Sequence, residues 1–218
     1  MNDYIKRTMQ LIFGLFLYAL GSFLTIQANI GLAPWEAFNI GLVNLTGMLY
    51  GNLFVITSFI IVLWVFFLKE KIGIGTILNA VLIGKFVDVI QMLDIILQMQ
   101  DVSSGVVMLL LGLFIICLGS YFYIGAALGC GPRDSLMVAL AKRVPTVPIG
   151  VIRGLIEGAV LITGWLLGAK IGVGTVISVF GIGFILQWTF KRLNFDVKNV
   201  QHEDVIDTAK ALPLPKSN

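Results

Sequence analysis

The chain has 218 residues, 58% of them hydrophobic and 12% charged, with a formal net charge of +3. Soluble domains carry about a quarter charged residues, so too few polar side chains remain here to cover a water-facing surface. The basic residues stand beside hydrophobic spans, not in a patch with interleaved aromatics, so no nucleic-acid partner is expected. Cys117 and Cys130 have no pairing framework, and the one histidine, His202, lies in a polar stretch. Neither a disulfide, nor a metal site, nor a cofactor is expected from them.

In chain order, residues 8–33 and 53–68 run without charge and approach or exceed the roughly 20 apolar residues that cross ~30 Å of hydrocarbon. Residues 11–20 imitate the apolar part of a signal peptide, but the run continues past them and no small-x-small cleavage site follows, so the first helix is expected to stay. The lipid bilayer is therefore the first partner expected of the chain.

The stretch from Gly14-Leu15-Phe16 returns at Gly112-Leu113-Phe114, and Leu20-Gly21-Ser22 returns as Leu118-Gly119-Ser120. Gly31-Leu32-Ala33-Pro34-Trp35-Glu36 returns as Gly129-Cys130-Gly131-Pro132-Arg133-Asp134, and Gly73-Ile74-Gly75-Thr76 as Gly172-Val173-Gly174-Thr175. One extra residue between 37 and 51 keeps the register. Each copy predicts a long helix (8–28; 106–127), a short segment after the proline (34–46; 132–143), and two further long helices. A dozen residues reach about 18–20 Å as helix, short of the bilayer, so the short segments are expected to be re-entrant or half-crossing.

Lys and Arg should collect on the cytoplasmic side. If the short segments do not cross, Lys6, Arg7, Lys69, Lys71, Arg133, Lys142, Arg143, Lys191 and Arg192 fall on one side and only Lys170 on the other. Three crossings per copy is odd, so the second copy enters from the opposite face. The expected fold is an all-α membrane protein with six transmembrane helices and two short ones, arranged as two inverted-topology repeats. The domain reading is a transmembrane domain over 1–196, with repeats at 8–98 and 106–193, and a disordered cytoplasmic tail over 197–218. Both termini are expected in the cytoplasm.

Candidate chemistry begins at the repeated Gly-x-x-Pro-x-acid unit. Pro34 and Pro132 suit a first helical position, with Glu36 and Asp134 two residues on. Half-helices starting there would present free N–H groups and positive dipole ends to a small solute or ion, with Gly31, Gly129 and Gly131 permitting close backbone approach. Alternatively, the two acids cap their own helix starts. Trp35 and Arg133 hold the matching position between proline and acid. Trp35 fits an anchor at the outer interface, and Arg133 either snorkels or pairs with Asp134.

Lys85 lies about eleven residues into the fourth element, ~16 Å along its axis, and Asp88 follows on the same face. Buried charges in a span face the protein interior or water, so Lys85 and Asp88 either pair with each other or line a site. The matching positions are Phe184 and Gln187, which makes any charged site there asymmetric. Arg153 and Glu157 form an i, i+4 pair read as structural. Asn79 and Ser178 match across copies and suit hydrogen bonds between helices, while Gly73, Gly75 and Gly84, with Gly172, Gly174 and Gly183, permit close packing.

The Gly-Leu-Ala-Pro-Trp-Glu unit, the later Gly-Ile-Gly-Thr and the length resemble the YczE/YyaS/YitT family of bacterial membrane proteins over most of residues 8–192. Gly31, Pro34, Trp35 and Glu36 match the family's first unit; the second departs from it, with Arg133 where the first has Trp35. The resemblance implies the bacterial cytoplasmic membrane and no agreed activity. Two functions compete: a transporter or channel with its site between the half-helices, and a non-transporting accessory that supports another membrane or secretion component, either alone or as a homo-oligomer. No nucleophile–base arrangement points to an enzyme.

Overall fold

The structure is a computed structural model that describes residues 2–147, 149–196, 200 and 202–205. Among these residues it is all helical: α1 (Asn2–Gln27), α2 (Pro34–Thr46), α3 (Tyr50–Phe67), α4 (Ile74–Met92), α5 (Val102–Gly125), α6 (Pro132–Arg143), α7 (Ile149–Leu166) and α8 (Val173–Arg192). The order long, short, long, long occurs twice. Five helices (α1, α3, α4, α5 and α8) are long and apolar enough to cross a membrane, and the protein is a membrane protein. α7 has 18 residues, and it carries Arg153 and Glu157.

The ends of the short helices follow from local chemistry. Pro34 and Pro132 each take the first turn, where a missing N–H costs nothing, and the residues before them, Ala33 and Gly131, are extended. Gly47 ends α2 in the left-handed conformation at φ 71°, with its N–H donating to the Val43 carbonyl. The 13 residues of α2 and 12 of α6 give about 20 and 18 Å of rise. Asp101 starts α5 by accepting from Ser104 N at 2.9 Å and Ser104 Oγ at 2.6 Å, bonds that hold its carboxyl below the usual carboxylate range.

The core forms where α1 and α5 cross. Side chains added at Gly14 and Gly21 would strike the backbone of Tyr123 and Ile116, and ones added at Gly112 and Gly119 would strike Gly21 and Tyr18. Early α1 thus meets late α5, so these equivalent helices run antiparallel. Leu11, Leu15, Leu109 and Leu113 are fully or almost fully buried beside this seam. Leaving a glycine at each crossing point lets backbone approach backbone, the usual device where lipid gives no hydrophobic drive to association.

The short helices exchange partners between units. α2 lies along α7, where Gly41 faces Gly164 and Leu167, while α6 ends beside α3, where Arg143 donates to the Leu68 carbonyl at 2.7 Å. The breaks before them are clamped reciprocally: Gly75 N donates to the Leu128 carbonyl (2.7 Å) and Gly174 N to the Ile30 carbonyl (2.8 Å). Gly31 and Gly129 sit in these clamps at φ +120° and +131°. Side chains there would collide with Gly172 and with Gly73 and Thr76, so both positions need glycine twice over.

Basic residues gather at one end. Lys142 pairs with Glu70 at 2.7 Å beside Arg143, and Arg7 donates to the Ala126 and Ala127 carbonyls and to Glu203 Oε1 at 2.6 Å. Lys170 lies at the other end, its Nζ donating to Asn29 Oδ1 at 3.2 Å. Of the tail expected over 197–218, residues 197–199, 201 and 206–218 lie outside the described residues. The described stretch 202–205 is tied to the basic end. Glu203 N donates to the Ala127 carbonyl, Val205 N to the Ile72 carbonyl, and Tyr4 OH to Glu203 Oε2, each at 3.0 Å; Asp204 stands 3.7 Å from Lys71 Nζ.

Candidate functional site

The clamps aim the starts of α2 and α6 at each other across the middle of the molecule, above a cavity of about 120 Å³. The cavity is lined by Pro34, Trp35 and Glu36 from one start and by Gly131, Pro132, Arg133 and Asp134 from the other. Arg133 reaches across: its guanidinium stands 4.7 Å from the centre of the Trp35 ring, 5.0 Å from that of Phe54, and 3.9 Å from Glu36 Oε1. Such ring contacts contribute about 0.5–2 kcal/mol each, more as water is excluded. With Glu36 only 6% exposed, the pair neutralises a carboxylate that would be costly alone.

Neither acid hydrogen-bonds to its own helix start. Glu36 accepts from Ser22 Oγ at 3.3 Å, and Asp134 Oδ2 accepts from Tyr123 OH at 3.0 Å. Both carboxylates are thus turned away from a capping role, and the first N–H groups of each short helix, which have no intrahelical acceptor, remain near the cavity. The partner of Arg133 is Glu36 of the opposite unit and not its neighbour Asp134. Trp35 is half-buried against that arginine.

Lys85 and Asp88 take neither of their expected places. They do not pair, and neither lines the cavity. Asp88 is buried and accepts from Gly51 N at 2.7 Å, which satisfies a free donor at the start of α3. Lys85 is exposed, and its Nζ donates to Asn52 Oδ1 at 2.8 Å. Counting along α4 could not reveal that α3 starts alongside Asp88, so that the carboxylate meets backbone and not lysine.

Arg153 and Glu157 do pair, at 2.8 Å, and both also line the cavity. Asn79 and Ser178, the matched polar pair, face this cavity instead of bonding to each other's helices. Ser178 is 1% exposed, its hydroxyl has no partner, and Asn79 makes no hydrogen bond among the described residues. A fully buried hydroxyl left unsatisfied beside an opening is what a polar occupant would satisfy. Tyr18, Phe54 and Tyr123 add aromatic faces to the wall. Sequence reading missed these three, because an aromatic in a span carries no signal that separates a site wall from core or lipid contact.

A second opening shares Tyr18, Tyr123, Asp134 and Arg153 with the first and continues past Cys130 and Phe190 to His202. His202 has a buried Nδ1 without a partner, and burial pushes its pKa below the ordinary 6.5 against a weaker opposing pull from Asp134.

Comparison with known proteins places the chain among membrane proteins and adds no chemistry. The chain is 32% identical over 181 residues to the uncharacterized membrane protein YczE of Bacillus subtilis, covering 82% of this chain and 83% of that protein. An uncharacterized protein of Haemophilus influenzae is 31% identical over 179 residues, 82% and 80% of the two chains. YyaS of B. subtilis, also uncharacterized, is 27% identical over 79% and 87%. No solved structure matches. The profile of a family of unknown function, DUF6198, matches residues 5–191, and the chain belongs to that family.

Proposed function

We propose that the protein is a multi-pass transporter or channel that moves a small polar solute or ion through the cavity between the starts of α2 and α6. The observation that carries the reading is the Arg133–Glu36 bridge between two helix starts, set over a cavity with the unpartnered Ser178 hydroxyl in its wall. Facing helix starts in broken spans are a recurrent plan for solute sites. A space of about 120 Å³ that adjoins a second opening along part of its wall suits a small polar solute or ion. Both cations that line it already have carboxylate partners, so the site suits a solute of low net charge or a single small ion.

The reading includes six crossings, two half-crossing helices and inverted repeats in a bacterial cytoplasmic membrane. Antiparallel α1 and α5 support inversion. The gathering of Arg7, Lys142 and Arg143 at one end supports placing that end, with both termini, in the cytoplasm. On this reading the protein moves its solute or ion and carries out no chemistry on it.

Flux into proteoliposomes across a panel of small polar solutes and ions tests the reading. Uptake abolished by Glu36→Gln with the fold retained is the expected result; no flux for any member, with protein shown folded, overturns it. Impermeant labelling of Lys71→Cys from inside only and Ser103→Cys from outside only is expected, and the reverse pattern at Lys71 removes the inverted arrangement.

A further inference from the structure

The last two helices of the two units match position by position and yet pack differently. Gly51 and Gly84 bring α3 and α4 into backbone contact: a side chain at Gly84 would meet the Gly51 carbonyl at 2.5 Å and Val55 Cγ2 at 3.1 Å. Asp88 fastens the contact by accepting the Gly51 N–H. The matching residues are Gly150, Gly183, Gly154 and Gln187. A side chain at Gly150, Gly154 or Gly183 would meet nothing within 4 Å, and Gln187 is exposed and makes no hydrogen bond among the described residues. A packing seam and a clamp residue are therefore both present in the second unit, and both are disengaged.

The gap has a definite place. Arg153, Ile156 and Glu157 of α7 and Ser178, Val179 and Ile182 of α8 all line the central cavity, so the unpacked side is where that cavity opens. From this we infer that α7 and α8 form a gate, open in this structure, that closes by seating Gly150 against Gly183 while the Gln187 amide oxygen accepts the Gly150 N–H. α3 and α4 are the same gate in its closed state at the other end of the cavity. The inference rests on the transport reading for its purpose, although the closure itself is a property of the helices alone.

The chemistry of the two clamps accounts for which one is shut. A carboxylate accepting a backbone N–H makes a charge-assisted bond, whereas an amide makes a neutral and weaker one. Asp88 holds its seam firmly, and Gln187 leaves its seam free to part. The bare α7 face would also suit a neighbouring helix, but the first unit already shows a fitting occupant, namely the following helix of the same unit.

The test uses the full chain in nanodiscs with Cys117 and Cys130 replaced by alanine and spin labels at Val151→Cys and Phe184→Cys, both exposed positions. Two inter-label distances are expected, the shorter one from the closed gate. Gln187→Glu, which restores a carboxylate clamp, should raise the short-distance population several-fold, and Gly183→Val should remove it with thermal stability unchanged. A single long distance that Gln187→Glu leaves unmoved overturns the gate. A short distance that also appears in singly labelled protein comes from a second copy on the α7 face, and overturns it too. Flux is read separately: moving distances without flux retire the transport reading alone, and flux with one fixed distance retires the gate alone.

Discussion

In the first unit Asp88 reaches from α4 to the start of α3, while at the matching place in the second unit Gln187 stands exposed and α7 begins without it. The two units share the glycine pairs Gly51/Gly84 and Gly150/Gly183, so both can pack closely there; beside the change of Val55 to Gly154, what differs is the group available to fasten the contact. Small residues permit a helix contact, and a polar clamp decides whether it is made. The same contrast holds at the helix starts, where a tryptophan in one unit and an arginine in the other convert a repeated position into a bridge between units.

The largest expected effect compares the seams directly. Gly51→Val places its methyls against the Gly84 carbonyl and the Asp88 carboxylate, and should cost more than about 3 kcal/mol or prevent assembly. Gly150→Val meets open space and should leave the melting temperature in detergent within a few degrees. Equal losses at the two positions would mean that the seams are equally closed in the membrane.

Next come the clamps. Asp88→Ala strands a buried N–H and removes a charged bond, with an expected loss of about 2 kcal/mol, while Gln187→Ala should change stability by less than about 0.5 kcal/mol. Chemical denaturation in mixed micelles reads both.

A smaller difference separates the two acids. Glu36→Gln leaves Arg133, still between its rings, without a counter-charge, for an expected loss of about 1–2 kcal/mol; Asp134→Asn keeps a carbonyl for Tyr123 OH and should lose about 1 kcal/mol or less. If the asparagine variant proves the weaker, the bridge is not what joins the two short helices.

The smallest effect concerns the basic end. His202 is held neutral by burial, with its pKa below 6.5, so acid favours the released tail, where the ring protonates freely. Docking of residues 202–205 should be complete above pH 6.5 and weaken as pH falls through 6.5 toward the lowered docked value. Hydrogen exchange at the Glu203 and Val205 amides, corrected for intrinsic rate, should speed up over that window, and His202→Gln should abolish the dependence.

Much of the architecture was legible in the residues. Long charge-free runs, Pro34 and Pro132 at first-turn positions, and the recurrence of glycine patterns specify helix order, lengths and a two-unit plan, because backbone bonding within lipid leaves the chain few alternatives. The repeated unit also named residues that the fold brings together, since Glu36, Trp35, Arg133 and Asp134 converge on one cavity.

Partnership was not legible there. That Arg133 faces Glu36 and not Asp134, that Asp88 meets Gly51 and not Lys85, and that Asn79 and Ser178 open onto a cavity all depend on which helices cross and at what height. The sequence by itself determined which segments are helices and where they break, because those choices are local to a few residues. Only the tertiary structure decided which charges meet and which glycine seam is shut, because both depend on distances between residues far apart in the chain.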